Sequence, residues 1–182
     1  MLEKSHVEFG ITSALAASVL MYNAGVPLDK VTVGVITASA ALGSLLPDID
    51  MPQSTIGRVF KPLASLLEKK CGHRTITHDV LIMVPLFIIS IFVKNPIFFG
   101  IMLGVIGHLF LDSMTTMGVC FNYFSHRKDF KDGWGRLGIG YIHVIPEALT
   151  FKSRSWRAKF VTIFFCLINV YIVLVNMPNI LQ

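Results

Sequence analysis

The sequence has 182 residues, the length of one domain; 53% of them are hydrophobic and only 15% are charged. Soluble domains carry about 25% charged residues, so this composition, with a mean hydropathy of +0.65, argues against a soluble fold and predicts a membrane protein. The three cysteines lack regular spacing, which excludes a CxxC metal motif and a disulfide framework.

Five uncharged stretches follow one another along the chain, and we interpret each as a membrane span. The first begins at Phe9 and is too long for the core of a cleaved signal peptide. Lys94, Asn95 and Pro96 predict a tight turn between the third and fourth stretches. The predicted spans cover about residues 9–28, 31–47, 76–93, 96–117 and 160–180.

The basic residues predict the orientation of these spans. If all five stretches cross the membrane, one side carries only Lys30 and Lys94, and every other Lys and Arg lies on the side of the N-terminus. Because positive loops stay in the cytoplasm, which also accounts for the net charge of +5, we expect a multi-pass protein with a cytoplasmic N-terminus.

The predicted fold is therefore all-α, a polytopic helical bundle in which residues 1–182 form a single membrane-embedded domain. Within the last cytoplasmic loop, residues 119–159, the stretch 142–151 mixes apolar and polar positions and predicts a short interfacial helix. Trp156 is a candidate anchor at the membrane interface.

Polar side chains with metal-binding chemistry cluster near the ends of the predicted spans. In the fourth span, Gly100, Gly104, His108, Asp112 and Thr116 recur every four residues and form one helical stripe. The glycines permit close approach of a neighbouring helix. His108 and Asp112, one turn apart, have the spacing of metal ligands, although a structural hydrogen-bonded pair is the alternative.

Asp48 and Asp50 follow the second span and lie between Pro47 and Pro52. Because proline disfavours helix on both sides, we expect a short extended segment that presents two carboxylates to a metal. A polar terminator at the membrane interface is the alternative.

A third cluster, residues 71–79, precedes the third span and contains His73, Arg74, Thr77, His78 and Asp79. The guanidinium group of an arginine matches the geometry of phosphate, and the two histidines are candidate ligands. A solvated loop is the alternative.

His6 precedes the first span. A lone histidine near the N-terminus is usually incidental, but the predicted topology puts His6 on the same side of the membrane as the other candidate residues. All candidate residues fall at the inside end of their spans, whereas His126 and His143 are interpreted as loop residues. The sequence thus predicts one cytoplasmic site built by His6, Asp48, Asp50, His73, His78, Asp79, His108 and Asp112.

The motifs LLPDID at residues 45–50, HRTITH at 73–78 and GVIGHLFLDSMTTMG at 104–118 carry a family resemblance. Together with His6, they resemble the YdjM-like family of metal-dependent hydrolases of the bacterial inner membrane. The resemblance covers about two thirds of the chain. Asp79 departs from the pattern, because Ser is expected after HRxxTH.

These observations predict a membrane-bound metal-dependent hydrolase of a phosphoester or phospholipid-like substrate, with membrane lipids as partners. His6, Asp48, Asp50, His78, His108 and Asp112 would bind one or two divalent ions, zinc or alternatively manganese. Arg74 and Thr77 would hold phosphoryl oxygens, with His73 or Asp79 as acid or base.

The alternatives are a metal-binding transporter or a non-catalytic membrane scaffold. Transport is disfavoured because a conduction path needs ionisable groups throughout the bilayer. Nucleic-acid binding by the basic loop with Trp134 and Tyr141 is also disfavoured, since retention in the cytoplasm explains those charges. The oligomeric state is left open.

Overall fold

The structure is a computed structural model that describes residues 3–121, 141–145, 150–152 and 155–176. These residues are mostly helical, which confirms the predicted class at that level. The described elements include two 3₁₀ helices, Leu46–Asp50 and Ile76–His78. They also include two short antiparallel strands, β1 Val119–Cys120 and β2 Tyr141–Ile142. The α-helices are α1 Glu3–Asn23, α2 Lys30–Gly43, α3 Thr55–Val59, α4 Lys61–Cys71, α5 Val80–Val93, α6 Pro96–Ser113 and α7 Trp156–Val175.

Short polar residues begin the long helices. The Asp29 carboxylate accepts a hydrogen bond from the Thr32 backbone N–H at 2.6 Å and caps α2, which lowers the pKa of Asp29. Asn95 caps α6 ahead of Pro96, and Lys94 adopts a left-handed conformation with φ of 55°. The predicted tight turn between α5 and α6 is therefore confirmed.

Three segments are long and apolar enough to cross a membrane: Lys30–Asp50, Pro96–Ser113 and Trp156–Val175. They correspond to the predicted spans 31–47, 96–117 and 160–180. α5 is apolar but shorter, and α1 is not among the three segments. The structure thus supports a membrane protein with three candidate spans, and the prediction of five spans stays a prediction.

The helices have other bounds than the predicted spans, and the segment with the two aspartates has another conformation than predicted. The helix of the first stretch covers Glu3–Asn23 rather than 9–28, because Gly25 with φ of 78° and Pro27 end it early. The third begins at Val80 rather than at residue 76, since Asp79 caps it. Asp48 and Asp50 lie in a 3₁₀ helix instead of an extended segment, because Pro47 is tolerated in a first helical turn.

The glycine stripe predicted on α6 packs directly against α2. A Cβ atom on Gly104 would lie 2.1 Å from the Ala40 carbonyl oxygen, and one on Gly100 would lie 2.4 Å from that of Ile36. From the other side, a Cβ on Gly43 would lie 2.2 Å from the Ile101 carbonyl oxygen. The two backbones are therefore in contact and run parallel, as the prediction of close approach required.

α1 joins this pair and carries α7 on its other face. The Ser5 and Thr162 hydroxyl groups are hydrogen-bonded, and Asn169 Nδ2 donates to a Glu8 carboxylate oxygen at 3.2 Å. These contacts show that α1 and α7 begin at the same end of the bundle. That end also holds the last residues of α2 and α6, since His6 lies 3.4 Å from Asp112.

Before α7 begins at Trp156, the described part of the last predicted cytoplasmic loop is not helical. Residues 146–149 of the predicted interfacial helix lie outside the described residues, as do His126 and Trp134. On either side of that gap, Ile142 belongs to β2 and Phe151 forms an isolated bridge with Thr115. The interfacial helix at 142–151 stays a prediction.

We expect Gly104→Ala to lower the free energy of unfolding by about 1–3 kcal/mol, because the added methyl group would overlap the α2 backbone. The measurement is reversible unfolding in mixed detergent micelles. Gly34→Ala is the matched control, since a Cβ there meets no atom within 4 Å, and its effect should be neutral or stabilising by up to about 1 kcal/mol. Equal losses in the two variants would contradict the packing argument.

Candidate metal centre

Four separate segments bring their polar side chains to one end of the bundle. His6 comes from the first turn of α1, and Asp48 from the 3₁₀ helix after α2. His78 precedes α5, while His108 and Asp112 end α6. The predicted convergence of these segments is therefore present in the fold, and four of the five side chains are almost completely buried, with Asp48 at 14% exposure.

Two imidazole nitrogens each lie near the same two carboxylate oxygens. His108 Nε2 lies 3.4 Å from Asp112 Oδ2 and 3.6 Å from Asp48 Oδ1. His78 Nε2 lies 3.6 Å and 3.8 Å from the same two oxygens. Within the described residues, neither Nε2 atom has a hydrogen-bond partner.

These separations fit metal ligands better than hydrogen bonds. A nitrogen–oxygen hydrogen bond rarely exceeds about 3.2 Å. In contrast, tetrahedral bonds of about 2.0–2.2 Å to a zinc ion place two ligand atoms about 3.3–3.6 Å apart. Asp48, His78 and His108 form a group of ligand atoms that could hold a divalent ion, and Asp112 Oδ2 lies within 3.6 Å of both imidazole nitrogens.

The hydrogen bond of His108 leaves its Nε2 free to bind. Nδ1 lies 2.6 Å from the Ser44 carbonyl oxygen, which can only accept, so the proton of a neutral ring resides on Nδ1. Nε2 then presents its lone pair to the centre, which is the usual arrangement of a metal-binding histidine. The His6 ring stacks on His108 with centroids 3.7 Å apart.

A chain of hydrogen bonds orients His78 in the same way. Thr77 Oγ1 donates to Asp50 Oδ2 at 2.6 Å, so it can only accept from His78 Nδ1, 3.0 Å away. The His78 proton is thus held on Nδ1, and Nε2 faces the centre. Asp50 Oδ1 in turn accepts from His73 Nδ1 at 2.7 Å, which extends the chain to a half-buried ring.

Arg74 is buried within the site. Its guanidinium donates to Asp112 Oδ1 at 2.7 Å and to Thr115 Oγ1 at 2.9 Å, and its backbone N–H donates to Asp50 Oδ2 at 3.0 Å. The residue adopts a left-handed conformation with φ of 59°. Arg74 therefore connects the two carboxylates, and its charge offsets part of their mutual repulsion.

The residues predicted to act on substrate occupy different positions. Asp79 is buried and caps α5 by accepting from the Leu81 backbone N–H at 2.8 Å. Thr77 and Arg74 are hydrogen-bonded to protein groups, whereas the His73 side chain is 29% exposed. The roles predicted for these four residues in catalysis stay predictions.

Sequence reasoning missed two groups that hold the site together. The Ser44 carbonyl oxygen, which accepts from His108, carries no side-chain signal. Thr115 contacts Arg74, whereas the helical stripe pointed to its neighbour Thr116. The four-residue repeat predicted the wrong threonine because α6 ends at Ser113, and the helical periodicity does not continue beyond that residue.

Three overlapping groups of ligand atoms could hold an ion, each with its atoms within 4.8 Å of one another. The first group is Asp48, His78 and His108. The second is His6, His108 and Asp112, and the third is Asp48, Asp50 and His73. The fold and site together define a helical membrane protein with a buried histidine and aspartate centre at one end.

Comparison with known proteins places this chain in a family. Residues 1–179 match the family described as YdjM inner membrane protein, so the chain belongs to the YdjM family, as its motifs predicted. The protein named Uncharacterized protein YvsG, from Bacillus subtilis (strain 168), is 40% identical over 121 residues, which are 65% of this chain and 71% of that protein.

Two further relatives carry the family name. Inner membrane protein YdjM of Escherichia coli (strain K12) is 34% identical over 91 residues, which are 46% of either chain. The protein of the same name from Shigella flexneri matches equally. This chain thus spans less than half the length of those two relatives. No solved structure matches the chain.

We expect Thr77→Val to weaken divalent-metal binding by about 10- to 100-fold, because the isosteric valine side chain cannot accept a hydrogen bond from the N–H at His78 Nδ1. Thr77→Ser keeps the hydroxyl group and should retain affinity near that of the wild type. The measurement is competition for zinc with a chromophoric chelator in detergent. Equal affinities of the Val and Ser variants would show that the hydroxyl group does not orient His78.

Proposed function

We propose that this protein is a membrane-bound, metal-dependent hydrolase of a phosphoester, with a phospholipid-like substrate at the cytoplasmic face. One observation carries the proposal: His78 Nε2 and His108 Nε2 converge with Asp48 Oδ1 and Asp112 Oδ2 at separations of 3.4–3.8 Å. Hydrogen bonds behind both rings prepare the two nitrogens to bind an ion.

The charges around this point favour a divalent cation. Asp48, Asp50 and Asp112 contribute three carboxylates, and Arg74 contributes one guanidinium group. With the histidines oriented by Ser44 and Thr77 neutral, as metal-binding histidines are, three carboxylates face one guanidinium group, which is an excess of negative charge. Burial of such an excess is costly, and one divalent ion would balance it.

Two imidazoles and two carboxylates are a ligand set suited to zinc and compatible with manganese. Asp50 orients the neighbouring residues, since its carboxylate oxygens accept hydrogen bonds from His73, Thr77 and the Arg74 backbone N–H. We therefore assign one ion to Asp48, His78, His108 and Asp112, which we call the inner set. Any second ion would lie beside His6 or His73.

Substrate would approach from the side of Asp48 and His73, which are the accessible residues of the site. When bound, the ion supplies a water-derived nucleophile at neutral pH and polarises a phosphoryl oxygen. We assign proton exchange with substrate to His73, because its ring is half-buried and its Nδ1 donates to Asp50. Arg74 acts by fixing Asp112.

The distribution of charge supports hydrolysis over transport. Among the described residues of the long helices, the Asp, Glu, Lys, Arg and His residues of α1, α6 and α7 lie near the end that holds the site. Lys30 marks the opposite end of α2, and α5 contains no charged residue. A conduction path would need such groups through the depth of the bilayer.

We also propose the full topology of five spans, with the protein in the bacterial inner membrane and the N-terminus in the cytoplasm. The family description supports the inner membrane. The alternating directions of the five long helices and the position of Lys30 and Lys94 at the end opposite the site support the orientation.

An alkaline phosphatase fused to the C-terminus should be active in cells, because five spans place that end outside the cytoplasm. A fusion at Lys94 should be active as well, whereas a fusion at Lys70 should be inactive. A C-terminal fusion without activity that is nevertheless well expressed would contradict the five-span topology.

For the metal centre, we expect wild-type protein purified without chelator to contain roughly one zinc or manganese ion per chain. His108→Ala and Asp112→Asn should lose most of this metal, because each removes a donor atom from the inner set. His143→Ala is the control and should retain it, since His143 belongs to none of the ligand groups. Elemental analysis by mass spectrometry is the measurement.

The same preparations test the reaction. Wild-type protein should hydrolyse bis(p-nitrophenyl) phosphate or phosphatidylglycerol vesicles, lose the activity with a chelator and regain it with zinc or manganese. Full metal content without hydrolysis of either phosphodiester would refute the proposed reaction and leave a structural centre. Hydrolysis that survives in His108→Ala would show that the reaction occurs elsewhere.

A further inference from the structure

Outside the metal centre, the region around α4 exposes large apolar side chains. Val59 and Phe60 precede the helix, and Leu63 and Leu66 lie on its first two turns; each is 44–70% exposed. Within the described residues, no element covers these four side chains. Leu63 and Leu66 have the spacing i, i+3 and lie on one side of the helix, and we call the four exposed side chains the apolar strip.

Basic residues border this strip. Arg58, Lys61, Lys69 and Lys70 are all exposed, and Glu68 is the one acidic residue between them. We call this combination of four apolar and four basic side chains the α4 surface. A helix with exposed leucines and a lysine-rich border has the composition of an amphipathic helix that lies in a membrane interface.

The fold holds the α4 surface at the end of a membrane span. The buried Ala64 marks the side of α4 that packs on the protein, and Ser54 Oγ donates to the Asp48 carbonyl oxygen at 2.8 Å. The Thr55 backbone N–H donates to a Glu3 carboxylate oxygen at 3.2 Å. α4 is therefore fixed beside the last residues of the candidate span Lys30–Asp50.

The length of α4 decides its orientation relative to the bilayer. Eleven residues extend about 16 Å, which is about half the hydrocarbon thickness, so the helix does not cross it. A position along the membrane surface buries the apolar strip among lipid chains and leaves the basic residues at the level of the headgroups.

We infer that the α4 surface binds anionic phospholipid in the leaflet nearest the metal centre. The excess of positive charge selects an anionic headgroup, and the apolar strip selects a lipid over a soluble anion. A membrane is the partner favoured by position, because the surface adjoins the end of a span. This inference does not rest on the proposed hydrolysis.

The test uses full-length protein in detergent, with native mass spectrometry to measure bound phosphatidylglycerol against phosphatidylcholine. Wild-type protein should retain phosphatidylglycerol in preference. Lys69→Gln/Lys70→Gln should weaken that binding by roughly tenfold, since each basic residue at a membrane surface contributes measurably. Lys30→Gln/Lys94→Gln is the matched control, also exposed but at the opposite end of the bundle, and should bind as the wild type does.

A second variant tests the apolar strip. Leu63→Ser/Leu66→Ser removes two exposed leucines and should weaken binding of phosphatidylglycerol while its metal content stays at the wild-type level. The inference is overturned if wild-type protein binds both lipids equally, if the two lysine pairs lose binding equally, or if the leucine variant binds as the wild type does.

Discussion

The backbone contact between α2 and α6 positions everything else at this end of the molecule. Gly100 and Gly104 let the two helices approach until a methyl group would overlap a carbonyl oxygen. At this distance the last turn of α6 carries His108 to the Ser44 carbonyl at the end of α2. A larger side chain in the stripe would separate His108 from the acceptor that orients it.

Around that contact, buried polar groups replace an ordinary apolar core. Burial of carboxylates and imidazoles is unfavourable unless their hydrogen bonds are satisfied, and nearly every polar atom at the rear of the site has a partner. His78 Nε2 and His108 Nε2 are among the buried atoms without a partner in the described residues, as are His6 Nδ1 and Arg74 Nε. Imidazole nitrogens without a partner that share two carboxylate neighbours are compatible with a site that could hold a metal ion.

Much of the site could be predicted from sequence because it depends on local spacing. His108 and Asp112 share a helix face, and alternating span directions bring the other polar residues to the same end. The roles of Arg74, Thr77 and Asp50 could not be predicted in this way. They depend on contacts such as Arg74 to Asp112, between residues far apart in the chain. The amphipathic character of α4 is again a matter of local spacing, since Leu63 and Leu66 share one side of the helix.

By itself, the sequence determined membrane insertion, family and the end of the bundle at which the polar residues gather, because hydropathy, motifs and charge are properties of the chain alone. Only the tertiary structure decided which atoms face one another. A histidine presents either of two nitrogens, and the Ser44 carbonyl and Thr77 hydroxyl groups select between them. That selection depends on three-dimensional distances, which no spacing in the sequence encodes.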